Sequence, residues 1–383
     1  MEYDVIVAGA GPVGLMLAIE LRLGGVSVLV LERAAEPYTE LKAGFMGARS
    51  INAPSTVTLH KHGLLDAVRQ AALWWYTPGD EIPAGAFIGH FAGLNLSPEH
   101  LDPAMEAPPH GGGAIAMLDL ETILAERLAE LGGQIRRGVT VDAYAETPSG
   151  VLVNGVHAAR WLVGCDGGRS TVRKLAGIAF PGNDGEYTGR VALTEISGDL
   201  PMGGWTRTAT GSYVHGPIPG RIHTVEYGEP VDRDAPLTPE EMTASLRRVT
   251  GLDVEVTKVH IGTRYTDATR QAATYRHGRV LLAGDAAHIH SPAGGQGLNL
   301  GIGDASCLGP KLAAVARGEA VPDLLDTYTA ERHPLGAWVQ AWSDAQTALS
   351  RPDVRTEALR GVMRDLLDTT DGATYVLRQI SGL

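Results

Sequence analysis

The sequence predicts an α/β fold: a parallel sheet flanked by helices, an antiparallel sheet inserted into it, and a run of C-terminal helices. Three observations predict it. First, a strand, a glycine turn, a helix and a second strand open the chain over 3–32. Two strands joined by a helix pair in parallel through a right-handed crossover. Second, residues 186–230 alternate polar and apolar and carry Tyr187, Trp205, Tyr213 and Tyr227. That period fits an antiparallel sheet with one face on a cavity. Third, another buried-strand pattern, RVLLAG at 279–284, follows that stretch. It fits the same sheet as the opening unit, which makes the parallel region discontinuous in sequence.

The elements follow in order. YDVIVA at 3–8 is a strand, and VGLMLAIELRL at 13–23 is a helix closed by Gly24 and Gly25. SVLVLE at 27–32 is the next strand. A helix is expected over 56–72. Residues 74–113 are rich in Pro, Gly and aromatics, including Trp74, Trp75, Tyr76, Phe87 and Phe91. DLETILAERLAEL at 119–131 is helical, and strands are expected near 134–145, 150–156 and 159–165. A helix over 238–249 starts with Thr238 as cap and Pro239 in its first turn. Further helices are expected over 297–317, 323–348 and 355–381. This divides the chain into a discontinuous domain (1–73, 112–180 and 265–330), an inserted one (74–111 and 181–264) and C-terminal helices (331–383).

Composition narrows the function. With 44% hydrophobic and 20% charged residues, 383 residues suffice for a sizeable core of globular type. A formal charge of -12 argues against nucleic acid and anionic membrane surfaces as partners. No stretch approaches the roughly 18 apolar residues of a membrane span. The start, MEYDVIVAGAG, enters a strand without the basic stretch and cleavage site of a signal peptide, so a cytoplasmic protein is expected. It is expected as a monomer or homodimer. Cys165 and Cys307 form no disulfide framework. No metal is expected: His288 and His290 lie one residue apart without an acid triad, and packing or capping suits them better.

Three segments carry chemistry. In Gly9-Ala10-Gly11-Pro12-Val13-Gly14, Gly9 permits the tight turn, Gly11 the approach of a pyrophosphate and Gly14 close packing of helix on strand. The helix start offers free N–H groups to the phosphates. Glu32, followed by Arg33, ends the second strand roughly 20 residues on, where a carboxylate accepts from ribose hydroxyls. This order of parts points to a dinucleotide, without separating FAD from NAD. In Gly164-Cys165-Asp166-Gly167-Gly168-Arg169-Ser170, a strand delivers an acid and two glycines to a helix start. Either Asp166 meets a polar ligand, or this is a capped turn with Ser170 as cap. In Gly284-Asp285-Ala286-Ala287-His288, a buried strand ends in an acid suited to a sugar-alcohol hydroxyl. The loop Gly294-Gly295-Gln296-Gly297-Leu298-Asn299 then presents backbone amides to an anionic or carbonyl-rich ring.

Together GAGPVG, GCDGGRSTVR, AGDAAHIHSPAGGQGLN and TYTAERHPLG resemble the class A flavoprotein monooxygenases, the p-hydroxybenzoate hydroxylase-like family. Within it the nearer likeness is to aromatic polyketide hydroxylases, and it covers nearly the whole chain. The resemblance implies a Rossmann-like FAD-binding domain and an inserted substrate domain. It implies FAD as the bound dinucleotide, NAD(P)H as co-substrate, and oxygen transfer to a phenolic, polycyclic ring through a flavin hydroperoxide in a dry pocket. Gly9, Gly11 and Gly14 then hold the pyrophosphate, and Glu32 the adenosine ribose. Asp166 belongs to a motif linked to FAD and NAD(P)H, and Asp285 to the ribityl chain or pyrophosphate. Pro292 and the backbone of Gly295, Gly297, Leu298 and Asn299 lie along the flavin ring.

The sequence departs from the family at four places. Lys42 stands where an arginine is usual, with Arg49 a second cation nearby. Met117 stands where a flavin-facing glutamine aligns. The segment 303–312 differs from the usual pattern, and Pro310 is expected to kink its helix. The chain ends about where many polyketide hydroxylases begin a thioredoxin-like domain, and none is expected within it.

Substrate contacts are expected from 74–115 and 186–230, with Trp74, Tyr76, Phe87, Trp205 and His215 foremost. His215, His223 and Tyr227 are candidates for a phenol-deprotonating base, each weighed against simple packing in the sheet. Arg190, Arg207 and Arg221 suit a carboxylate or phosphate, against surface salt bridges as the default. Rival functions are Baeyer–Villiger insertion, antibiotic inactivation by hydroxylation, a redox-neutral flavoprotein and a plain NAD-dependent dehydrogenase.

Overall fold

A computed structural model describes residues 2–80, 88–228, 232 and 234–382. Phe87 lies outside the described residues. The large sheet runs in the order Arg276–His277, Val280–Leu282, His157–Gly164, Tyr3–Ala8, Val28–Glu32, Gln134–Arg137. Tyr3–Ala8 pairs in parallel with His157–Gly164 on one side and Val28–Glu32 on the other. Its strands are buried on both faces, as a parallel sheet covered by helices requires. Pro12–Leu23 packs on Gly297–Ala316 and Met117–Glu130.

The antiparallel sheet has five strands, in the order Gly203–Arg207, Ser212–His215, Arg221–Tyr227, Tyr187–Ser197, Glu255–Tyr265. It lies in sequence between the strands ending at Gly164 and beginning at Val280, so the parallel sheet is discontinuous and the antiparallel one inserted.

Two of the expected helices differ in the structure. The helix expected over 56–72 is two, Ala53–Lys61 and Leu65–Ala71, because Gly63 adopts φ +71° between them. Residues Ala72–Tyr76, where the sequence pattern assigns no element beyond the helix end at 72, form a strand beside Gly112–Ala116. The helix expected over 355–381 is split into Val354–Leu367 and Thr370–Ser381, the second capped by the Thr369 hydroxyl on the Gly372 N–H. The helix expected over 297–317 is present as Gly297–Ala316, with Pro310 inside it.

Candidate active site

The three glycine-bearing segments converge on one cavity of about 960 Å³ between the two sheets and the C-terminal helices. Gly11 and Pro12 open onto one end, Lys42, Arg49, Met117 and Asp285 line the middle, and Trp205, His223 and Tyr265 the other. The size matches an organic ligand site.

The first turn is built by exclusion. Gly9 has φ +107°, and a Cβ there would sit 2.4 Å from the Cys165 carbonyl oxygen. A Cβ on Gly14 would sit 2.1 Å from the Gly9 carbonyl oxygen. Gly11 is the opposite: its Cβ would meet nothing within 4 Å. The helix N-terminus is therefore open towards the cavity where a pyrophosphate needs space, and the cradle fits a dinucleotide. Glu32 stabilises the turn, accepting from the Ala10 N–H at 2.7 Å and the Ala34 N–H at 2.8 Å. Neither Glu32 nor the exposed Arg33 lines the cavity.

The third segment is anchored from behind. Asp304 is wholly buried; its Oδ2 accepts from the Gly284 N–H at 3.0 Å and lies 2.6 Å from His288 Nε2, while its Oδ1 accepts from Arg332 Nε at 2.7 Å. Burial works to raise the Asp304 pKa, but His288 and Arg332 outweigh it and hold the carboxyl below its usual range. This network fixes the turn that presents Asp285 to the cavity. It also accounts for His288 as a packing group. The glycine loop is tied to the strand Ala48–Ile51: Ser50 Oγ donates to the Gly295 carbonyl at 2.9 Å. Asn299 donates to the Ser50 carbonyl at 3.0 Å and accepts from the Asn52 N–H at 3.0 Å. The Asn299 side chain is thus spent on the loop's support, while Pro292, Gly295, Gly297 and Leu298 line the cavity.

Two cations enter the middle of the cavity. Lys42 pairs with Glu121 at 2.8 Å. Burial works against the charge of Arg49, and Asp285 and Glu121 offset part of that penalty. Arg221 adds a third cation beyond them. It donates to the Gly216 carbonyl at 2.9 Å, while its buried Nε has no hydrogen-bond partner among the described residues.

The far end is aromatic. Gly189 lets the Tyr265 ring lie across it: a Cβ there would sit 2.2 Å from that ring. His223 makes edge contacts with Trp205 at 5.7 Å and Tyr265 at 6.5 Å between centroids. Both of its ring nitrogens are buried without a partner among the described residues. Burial, with Arg221 beside it, pushes its pKa down to about 3. The ring is therefore neutral at working pH, which suits hydrogen bonding more than proton storage. Tyr227 lines the cavity, but its hydroxyl donates to the Thr347 carbonyl at 2.9 Å, and burial raises its pKa.

The pKa of His223 has a consequence for stability. An unfolded histidine titrates near 6.5, so below that pH the unfolded chain binds a proton that the native chain refuses. Acid then favours unfolding, by about 2 kcal/mol between pH 7 and pH 5 for this group. His223→Asn is expected to lose correspondingly less stability over that interval than the parent. Equal losses in urea melts at the two pH values contradict the assignment.

Several residues singled out in the sequence are placed elsewhere. Asp166 accepts from Ser170 Oγ at 2.5 Å, the Thr171 N–H at 2.7 Å and the Val172 N–H at 3.1 Å. It ties down the helix start, where the Ser170 hydroxyl caps by accepting from the Arg173 N–H at 3.0 Å, the second of the two readings of that turn. His215 does not line the cavity: one ring nitrogen lies 2.8 Å from the Leu200 carbonyl and the other accepts from the Gly220 N–H at 2.9 Å. Trp74 is 55% exposed, and neither it nor Tyr76 lines the cavity. Trp75 packs inward, and the glycines opposite serve it: a Cβ on Gly113 would sit 2.7 Å from its ring. Arg190 is held by Glu226 and Glu241, each at 2.8 Å, away from the cavity. Arg207, by contrast, lines the cavity while pairing with Glu357. Gln346 and Tyr265 line the cavity without having been anticipated.

A strand–glycine turn–helix opening on a large cavity defines a dinucleotide-binding protein. Residues 2–343 match the family described as FAD binding domain. The chain is 40% identical over 393 residues to a rifampicin monooxygenase of Streptomyces venezuelae, covering all of this chain and 79% of that one. It is 36% identical over 401 residues to a dialkyldecalin synthase of Streptomyces rugosporus, covering all of this chain and 81% of that one. The solved structure of OxyS anhydrotetracycline hydroxylase from Streptomyces rimosus superposes with a TM-score of 0.84 at 39% identity, covering all of this chain and 76% of that one. The chain belongs to the FAD-binding family of class A aromatic monooxygenases. It is an FAD-dependent aromatic monooxygenase of the polyketide hydroxylase type. Among the described residues no helix is long and apolar enough to cross a membrane, and no group of three His, Cys, Asp or Glu could hold a metal ion.

Proposed function

We propose that this enzyme hydroxylates a polycyclic phenol, with NAD(P)H as reductant and molecular oxygen as co-substrate. One observation carries the reading: a single cavity runs from the open helix start at Gly11 to the aromatic wall of Trp205, His223 and Tyr265. In this reading Gly9, Gly11 and Gly14 shape the pyrophosphate cradle. Arg49 and Lys42 face the cofactor's anionic charge, and Asp285 accepts from a hydroxyl of its sugar chain. Pro292, Gly295, Gly297 and Leu298 border the ring system, with Met117 a neighbour. When bound, FAD takes up two electrons from NAD(P)H and activates oxygen for transfer to an electron-rich ring. The chain itself supplies position and dryness. Trp205 and Tyr265 offer faces to a flat guest. His223, being neutral, hydrogen-bonds the phenol and orients it, so no side chain needs to store the phenolic proton.

Asp285→Ala tests the cofactor assignment. Loss of a charge-assisted hydrogen bond of about 1.5–3 kcal/mol weakens flavin binding roughly 10- to 100-fold. Flavin released on denaturation and measured per chain should fall sharply after dialysis; undiminished flavin refutes the role. For the reaction, a panel of phenols incubated with NADPH under ¹⁸O₂ should give a product heavier by one labelled oxygen. The kinship with a dialkyldecalin synthase favours a second reading, a redox-neutral flavoprotein. Substrate conversion without oxygen consumption selects it.

A further inference from the structure

Gln346 lies in the helix Asp326–Ser350, has 0% exposure and lines the cavity. Its carboxamide is oriented by a contact remote in sequence: Oε1 accepts from the Ala92 N–H at 3.2 Å. The Ala92 carbonyl is held in turn by Arg360 at 2.7 Å. With the oxygen so engaged, Nε2 points the other way. That nitrogen is buried and has no acceptor among the described residues. It lies against the glycine loop, where a Cβ on Gly294 would come within 2.7 Å of it. A buried amide donor without an acceptor costs free energy that a ligand oxygen recovers. The neighbouring wall adds the unpartnered nitrogens of His223 and Arg221 Nε.

We infer that Gln346 is a specificity residue whose Nε2 donates to a ring carbonyl oxygen of the substrate, so that the site selects quinone-like or ketone-bearing polycycles over plain phenols. The inference rests on the hydroxylase reading above and deepens it. A flavin carbonyl offers the same chemistry, and the test separates the two sources. A site built to donate a hydrogen bond rejects an analogue that lacks the acceptor, because the donor is then left buried and unpaired.

The probes are 2-hydroxyanthraquinone and 2-anthrol, which share a three-ring frame and a phenol and differ in the carbonyls. Dissociation constants are measured by equilibrium dialysis against the flavin-loaded protein. The parent is expected to bind the quinone roughly tenfold more tightly. Gln346→Met, of similar length and without a donor, is expected to remove that preference while keeping its flavin content and the flavin absorption spectrum of the ligand-free parent. Equal affinity of the parent for both probes overturns the inference, and that arm needs no variant to fold. A preference that survives in Gln346→Met overturns it too. So does a shifted spectrum in the ligand-free variant, which assigns the donor to the flavin. A parent that carries no flavin sinks the hydroxylase reading instead.

Discussion

Asp304→Ala is expected to destabilise the enzyme by about 3–5 kcal/mol, as removing one partner of a buried charge cluster does. That is a large share of the roughly 5–15 kcal/mol that holds a domain folded. The carboxylate joins three groups: the Gly284 N–H, His288 and Arg332. Alanine leaves the Arg332 guanidinium facing a void and the Gly284 turn without its anchor. The turn presents Asp285, so flavin content should fall along with the urea midpoint. Asp304→Asn keeps the shape and one acceptor oxygen, and is expected to fall between. A midpoint for the alanine variant within error of the parent's removes the clamp from the account.

The second large effect is expected at Gly14. One methyl group there meets the Gly9 carbonyl at 2.1 Å, and that neighbour is backbone. Either the helix Pro12–Leu23 or the turn itself must move. Overpacking of this kind costs about 1–3 kcal/mol, or more where backbone resists. Gly14→Ala should therefore lose both stability and flavin. Gly11→Ala provides the contrast: its new methyl meets no protein atom within 4 Å, so the fold should persist while the methyl intrudes on the pyrophosphate's place. Matching melting temperatures for the two variants would falsify this division of labour.

What could be read from the sequence was local. The strand, glycine turn and helix over 3–23 are specified by residues adjacent in the chain, and the structure has them where the pattern put them. The antiparallel sheet followed from its alternation. The site was legible only where a motif presented it. Asp166 has the composition of a ligand-binding turn, but its side chain is taken up by the Ser170 hydroxyl and the Thr171 and Val172 N–H groups, a choice the sequence left open. Trp74 and Trp75 look alike in sequence, and only strand pairing turns one out and the other in. Gln346 carries no local signal at all. Its meaning comes from Ala92, 254 residues away.

That distance points to how the enzyme is assembled. The cavity wall takes groups from Gly11, Arg49, His223, Asp285 and Gln346, and so from nearly the full span of the polymer. Bringing such remote partners together is slow and entropically costly. A fragment that lacks any of these segments offers the cofactor an unfinished berth, so ligand affinity belongs to the state in which they have come together. A tightly held prosthetic group then acts as a latch on that state, adding stability that grows with the logarithm of its free concentration.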